Sequence, residues 1–220
     1  MPPTRQRRKE ARPQELLDAA LQLFVEKGFA ATRTDDVAHL AGVSKGTLYL
    51  YFPSKEELFK AVVRHHLTAL ILEGEQIAAQ FQGPTPELLR LLMHTWWDRV
   101  GDGYAGGICK VVTGEVRNFP ELAQFYVDEV IVPANRLIGG TLQRGMDRGE
   151  FRSVPLAAAA QALIAPLLFL ALHKHSIGAC PVHGTHWEPR LVIETQLDLM
   201  LNGLLVAKPA KRRAATKARP

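Results

Sequence analysis

The stretch TDDVAHLAGVSKGTLYLYFPSKEEL, residues 34–58, decides the fold of the first part of this chain. It contains two short helical patterns, Asp35–Ala41 and Lys45–Phe52, joined only by a Gly-Val-Ser tripeptide. A linker this short forces the two helices to cross steeply, as they do in a helix-turn-helix. We predict that Thr34 caps the first helix, that the glycine ends it with a positive φ, and that the serine caps the second.

The second of these helices has an unusual outward face. A rotation of about 100° per residue places Leu48, Tyr51 and Phe52 on its buried side. The face left for solvent carries Lys, Gly, Thr, Tyr and Leu, whereas a solvated helix would carry more charge. Such a face suits the major groove of DNA, where lysine and tyrosine reach acceptors and glycine lets the backbone approach. Ser54 and Glu57 then predict a capping box for the next helix.

The residues expected to contact DNA are those of this outward face and of the neighbouring helix starts. They are Arg33, Thr34, Ser44, Lys45, Gly46, Thr47, Tyr49, Leu50, Tyr51 and Lys55.

The same region carries a family resemblance. The patterns L-L-x-A-A at residues 16–20, Gly28-Phe29, A-G-V-S-K-G-T-L-Y-x-Y-F at residues 41–52 and S-K-E-E-L at residues 54–58 resemble the tetracycline-repressor family. The match covers about the first quarter of the chain, and the rest resembles the family only in length and helical character. The resemblance implies a dimeric transcriptional regulator, most often a repressor, which a small effector releases from a near-palindromic operator. It also implies that the fourth helix links the DNA-binding head to the body and moves on ligand binding.

No segment shows the alternation of a β-strand, so the predicted fold class is all-α. We expect an N-terminal three-helix helix-turn-helix domain followed by a larger helical domain. The predicted boundaries are a disordered basic arm at 1–12, the DNA-binding domain at 13–57, an effector-binding and dimerisation domain at 58–206 and a disordered basic tail at 207–220. Pro13 is expected to open the first helix.

Positive charge is concentrated at the two ends of the chain. The arm holds five basic residues and one acidic residue, and the tail holds six basic residues and no acidic one. Because the net charge of the whole chain is only +5, the body between them is mildly acidic. This pattern favours a polyanion such as DNA, and it leaves open a non-specific architectural DNA-binding protein. Two cysteines and the lack of a secretory apolar segment predict a cytoplasmic protein.

One apolar segment, Val154–Leu172, is 19 residues long, which is enough to cross a bilayer. Gln161 lies in its middle, two prolines interrupt it, and no second such segment exists. We therefore predict no membrane partner. The segment is interpreted instead as a helix buried between two subunits of a homodimer, with Leu163 and Leu167 in the contact.

A helical body of this size often contains a ligand cavity, and its aromatic side chains are candidate lining. The candidates are Phe81, His94, Trp96, Trp97, Cys109, Phe125, Tyr126 and Phe169. Their uncharged character favours a small apolar or aromatic effector. The alternative is that most of them are ordinary core residues.

A C-x2-H-x2-H run, formed by Cys180, His183 and His186, leaves open a metal-sensing regulator. A histidine-rich loop between helices explains the run better, so no metal or cofactor is expected. The sequence contains no P-loop or zinc-protease motif. The chain is therefore not expected to be an enzyme.

Overall fold

The computed structural model describes residues 5–180, 184 and 187–205, with side chains from residue 13 onward. Over this part of the chain the fold is all-α, as predicted, and the β pairing consists of one isolated bridge between Phe151 and Leu205. The helices are α1 (Arg5–Lys27), α2 (Thr34–Leu40), α3 (Lys45–Tyr51), α4 (Lys55–Val63), α5 (Ala69–Gln80), α6 (Thr85–Trp96), α7 (Gly107–Glu115), α8 (Pro120–Tyr126), α9 (Val132–Asp147), α10 (Leu156–Lys174) and α11 (Pro189–Leu204).

Three π-helical turns lengthen the helices of the body. Arg64–Thr68 joins α4 to α5, Trp97–Gly101 extends α6, and Val127–Ile131 joins α8 to α9. The first of them makes one continuous rod from Lys55 to Gln80, as its amphipathic pattern predicts. Pro133 follows the third π turn closely and lacks the N–H that a regular helix would need there.

Helices α1 to α4, called the head below, pack around three phenylalanines. The ring centroids of Phe24, Phe29 and Phe59 lie 5.2–5.6 Å apart. Val37 of α2 and Leu48 of α3 are fully buried against this cluster. Because both short helices are anchored through apolar side chains, the opposite face of α3 is held in one orientation.

The rest of the chain, α5 to α11, is called the body, and its own core lies between α6, α9, α10 and α11. Leu88, Leu142, Leu163 and Leu197 are completely buried there. Leu163 and Leu167, predicted to lie in a dimer contact, belong to this internal core, so that placement was wrong. Since α10 is apolar on every side, its sequence carries no signal of which face meets which neighbour.

Another face of α10 is largely exposed in the described part of the chain. Ala158, Ala162, Ala165 and Phe169 are exposed along it. In the described residues, one helix, Leu156–Ala179, is long and apolar enough to cross a membrane by length and composition. The core helix of a soluble protein meets the same criterion. The exposed stripe is therefore a feature that the fold of one chain leaves unexplained.

The start of the first helix was predicted wrongly. Helix α1 begins at Arg5 and carries Pro13 within it, so residues 5–12 are helical and are not a disordered arm. A proline removes only one hydrogen bond, and a long helix can continue through it at a cost. Residues 1–4 and the predicted tail at 207–220 lie outside the described part of the chain. The boundary at residue 57 falls inside α4 and stays a prediction.

The predicted Thr34 cap was also wrong. Thr34 is the first residue of α2, whose N-cap Arg33 makes no side-chain cap bond. Thr85 likewise lies inside α6, where its backbone N–H donates to the carboxylate of Glu150 at 2.7 Å. A cap supplied by a residue so distant in sequence leaves no local pattern.

Candidate DNA-binding surface and effector cavity

The turn between α2 and α3 has the predicted geometry. Gly42 adopts a φ of +66°, which favours glycine, and ends α2. Val43 N–H then donates back to Ala38 O at 2.9 Å. Ser44 caps α3, with its hydroxyl oxygen accepting the Thr47 N–H at 3.1 Å. These local bonds fix the angle at which α3 leaves the turn.

The two sides of α3 differ as the helical phase predicts. Leu48 has no exposed surface, and Tyr51 and Phe52 are half-buried against the head core. On the other side, Tyr49 is exposed and Leu50 is 84% exposed. An exposed leucine of this degree has no packing role in the chain, so the face is available to a partner.

Polar side chains of α2 and α3 meet on this surface. The hydroxyl groups of Thr34 and Tyr49 lie 3.0 Å apart. Lys45 forms an ion pair with Asp35 at 2.8 Å, and the hydrogen bond and charge of that carboxylate raise the pKa of the lysine. Arg33 is exposed at the same helix start. The start of α2 and the outer face of α3 therefore form one continuous surface, called the α3 surface below.

Two of the predicted DNA contacts are turned towards the protein. Lys55 donates to the carbonyl oxygens of Phe29 and Ala30 at 2.8 and 3.1 Å, and its ammonium lies 4.5 Å from the centre of the Phe29 ring. Tyr51 packs against the head core. The structure brings together the other eight: Arg33, Thr34, Ser44, Lys45, Gly46, Thr47, Tyr49 and Leu50.

A cavity of about 510 Å³ lies in the body, between α5, α6, α7, α9, α10 and the π turn before α9. Its wall contains no charged side chain and is mostly aliphatic. The lining residues are Leu67, Leu70, Ile71, Gly74, Leu92, Met93, Thr95, Trp96, Cys109, Val112, Thr113, Val116, Tyr126, Val130, Ile131, Ala134, Asn135, Leu137, Ile138, Gln161, Ile164, Leu167, Leu168 and Leu172. Ligand sites are commonly of this size and composition.

Of the eight residues predicted to line a pocket, Trp96, Cys109 and Tyr126 line this cavity. The Cys109 thiol and the Tyr126 hydroxyl lie 3.9 Å apart. Burial raises the pKa of Cys109 to about 11, and burial also raises the pKa of Tyr126 well above its usual value. Both groups are therefore neutral near pH 7.

The other five candidates lie elsewhere. Phe81 packs beside Arg144, and His94 is bonded to Glu194. Trp97 is buried in the body core, and Phe125 lies under the Arg64 guanidinium at 4.9 Å. Phe169 is exposed and packs on Trp187, with centroids 5.6 Å apart.

Most of the cavity wall was missed by sequence reasoning, because it consists of aliphatic residues such as Ile71, Leu137 and Ile164. At helical spacing these look the same as core residues.

The metal hypothesis is not tested. Cys180 is exposed, and His183 and His186 lie outside the described residues. Within the described part of the chain, no group of three or more His, Cys, Asp or Glu residues is placed to hold a metal ion. The nearby His173 stacks on Trp187 at 4.2 Å.

Two polar contacts join the wall of the cavity to the head. Glu115, at the end of α7, accepts the backbone N–H groups of Phe29 and Ala30, both at 2.7 Å. Lys55 holds the carbonyl groups of the same two residues, so this turn between α1 and α2 is clamped on both sides. Arg64 and Glu129 form a bidentate ion pair at 2.5 and 2.7 Å between the first and third π turns.

Comparison with known proteins identifies relatives of this chain. Residues 16–62 match the sequence model of the family described as "Bacterial regulatory proteins, tetR family". The chain is 31% identical over 146 residues to the HTH-type transcriptional repressor KstR2 of Rhodococcus jostii (strain RHA1), which covers 66% of this chain and 70% of that protein. It is 49% identical over 63 residues to the HTH-type transcriptional regulator RutR of Escherichia coli (strain K12), covering 29% of this chain and 30% of that protein.

Among solved structures, the transcriptional regulator FadR from Bacillus subtilis, in complex with stearoyl-CoA, superposes with a TM-score of 0.72 at 20% identity. The match covers 86% of this chain and 98% of that one. At this identity the likeness shows a shared fold.

Proposed function

We infer that this chain, which belongs to the tetR family of bacterial regulatory proteins, represses transcription as a dimer that binds its operator through α3 and leaves it when an apolar molecule fills the cavity. Regulators of this family bind operator DNA, respond to small molecules and are typically dimers. The chain is accordingly a ligand-responsive transcriptional repressor and not an enzyme.

The observation that carries the DNA-binding part is the exposed α3 surface beside a fully buried Leu48. We propose that Lys45 and Arg33 contact phosphates, and that Thr47, Tyr49 and Leu50 approach base edges. The ion pair of Lys45 with Asp35 is exposed, so it contributes little, and a phosphate can replace the carboxylate. Lys55 and Tyr51 are reassigned to supporting the head.

The dimer is proposed to form through α10 and α11. The exposed stripe of α10 lies beside α11, on which Leu191 and Leu199 are 67% and 69% exposed. Two helices from each subunit would bury both faces in a four-helix interface. Such a dimer presents two copies of α3 to successive major grooves, about 34 Å apart.

The effector is proposed to be apolar or aromatic, because the cavity wall offers no charged group. The structural neighbour FadR is described in complex with stearoyl-CoA, which makes a long-chain acyl-CoA the first compound to test. Only the acyl chain suits these walls. The charged part of the molecule would have to stay outside, where water can solvate it.

The response is proposed to reach the head by two routes. Helix α7 lines the cavity with Cys109 and Val112 and ends in Glu115, which holds the α1–α2 turn. The rod formed by α4 and α5 is part of the head at one end and of the cavity wall at the other. An effector that fits better when these helices are displaced would shift the population of heads away from the spacing that DNA requires.

Family membership favours neither the metal-sensing alternative nor the architectural one. Regulators of this family are soluble cytoplasmic proteins, and we propose the cytoplasm for this chain as well. The apolar α10 is then explained by the body core on one face and by the second subunit on another.

The proposal is tested with DNA from upstream of the protein's own gene, compared with unrelated DNA at the same salt concentration. Wild type should prefer the upstream fragment. A Lys45→Ala, Tyr49→Phe variant should lose about 1–3 kcal/mol of binding free energy with its fold and dimer intact, and changing Thr47 should alter base preference. Unchanged affinity in the double variant would remove α3 from the DNA interface.

The effector is tested separately. Stearoyl-CoA should lower the affinity of wild type for the upstream fragment. No response would reject stearoyl-CoA as the effector and leave the DNA-binding assignment standing.

A further inference from the structure

The hydroxyl group of Tyr126 is an unusual feature of the cavity wall. Tyr126 lies at the end of α8 and lines the cavity, and its side chain is partly buried. Among the described residues, its hydrogen-bonding partner is the Cys109 thiol, 3.9 Å away. A thiol is a weak partner, whereas a buried tyrosine hydroxyl usually has a strong one. The hydroxyl therefore retains bonding capacity inside an otherwise apolar space.

One hydrogen bond joins the two amide side chains of the wall. Gln161 donates to the side-chain oxygen of Asn135 at 2.9 Å. Because burial keeps both Tyr126 and Cys109 protonated, the cavity presents a neutral O–H donor and no ion. A charged ligand group placed there would lose its hydration without gaining a counter-ion, at a large cost. An uncharged oxygen would lose little and gain a hydrogen bond.

We propose that Tyr126 is the hydrogen-bonding anchor of the effector, and that the effector is an apolar molecule with an uncharged acceptor oxygen, such as the carbonyl of a ketone, an ester or a thioester. This inference rests on the proposed function, because it concerns the same cavity. It goes further by stating which group of the ligand is recognised and by which atom of the protein.

The test compares two probes with the same number of heavy atoms, methyl nonyl ketone and n-dodecane. Binding to the dimeric full chain is followed by the fluorescence of its tryptophans, since Trp96 lines the cavity. Tyr126→Phe should weaken binding of the ketone by about two- to tenfold, the range expected for one neutral hydrogen bond. Binding of n-dodecane should stay within about twofold, because the phenyl ring that contacts it is retained.

Two further variants distinguish the Tyr126 hydroxyl from the other polar groups of the wall. Thr95→Val removes another hydroxyl and should leave the ratio of the two affinities unchanged. Cys109→Ala removes the thiol and should preserve ketone binding. A loss in Cys109→Ala equal to that in Tyr126→Phe would move the anchor to the thiol and overturn the proposal.

The remaining outcomes are also decisive. If Tyr126→Phe weakens both probes equally, or neither, Tyr126 acts by packing and is not an anchor. If neither probe binds wild type, the apolar effector cavity itself fails, and this inference fails with it. Operator binding by the same wild-type preparation is measured separately, so that result would leave the DNA-binding assignment untouched.

Discussion

The head and the body of this molecule differ in how completely their interiors are filled. A second cavity, beside Phe29 and Phe119 at the base of the head, has a volume of about 10 Å³, which is too small for more than one water. The body contains a cavity of about 510 Å³. A filled interior resists deformation because any change opens a void or a clash. Under the proposed function, the filled head would hold one shape for DNA, and the body would have room to respond to a ligand.

The largest effect is expected from a charge on the exposed stripe of α10, which belongs to the body. In Ala162→Asp, a carboxylate on the exposed stripe of α10 would be buried without a partner in the proposed dimer, at a cost of several kcal/mol. Sedimentation should show monomer, and operator binding should fall although no residue of the head has changed. Leu72→Asp places the same charge on an exposed leucine of α5 and should remain dimeric. A well-behaved dimer from Ala162→Asp would show that the interface lies elsewhere.

The difference in filling is tested directly by removing one leucine side chain from each region. Leu48→Ala leaves a void in the head and should lower the free energy of unfolding by about 2–5 kcal/mol. Leu168→Ala only enlarges an existing cavity, so its cost should be clearly smaller. Chemical denaturation of both variants gives the comparison. Equal losses would mean that the body is packed as tightly as the head.

The smallest effect concerns the contact between the two regions. Glu115→Gln keeps the size of the side chain but replaces one acceptor oxygen with an amide that cannot accept an N–H. Hydrogen exchange at Phe29 and Ala30 should accelerate, because their N–H groups donate to that carboxylate. Operator affinity should fall by about 0.5–2 kcal/mol although no DNA-facing residue changes. Glu121→Gln, at an exposed carboxylate of α8, is the matched control. Accelerated exchange with unchanged operator affinity would make Glu115 a structural clamp with no part in coupling.

The α2–α3 region was predictable because its causes are local. The positive φ of Gly42, the Ser44 cap and the burial of Leu48 each follow from residues within a few positions. The direction of Lys55 was not predictable, since its partners Phe29 and Ala30 lie in the distant turn between α1 and α2.

The same limit applies to the body. Glu150 caps α6 from 65 residues away, and no sequence pattern near Thr85 indicates this contact. Trp97 lies among polar residues of the sequence and Phe169 in an apolar run, yet Trp97 is buried in the core and Phe169 is exposed. Which face of an apolar helix meets a cavity, a core or a second subunit depends on the packing of distant elements, and composition alone does not encode it.

The π turn at Arg64–Thr68 also determines where the rod could lose a residue without reorienting the head. In a π turn each backbone hydrogen bond spans five residues, whereas in an α-helix it spans four. The turn therefore accommodates one extra residue while the helices on either side keep their direction. Losing a residue there would leave a regular helix and nearly the same head orientation. Losing one within Lys55–Val63 would instead rotate the head by about 100° about the rod. A deletion in this rod should therefore be tolerated at the π turn. Elsewhere it would misalign the two copies of α3 in the proposed dimer.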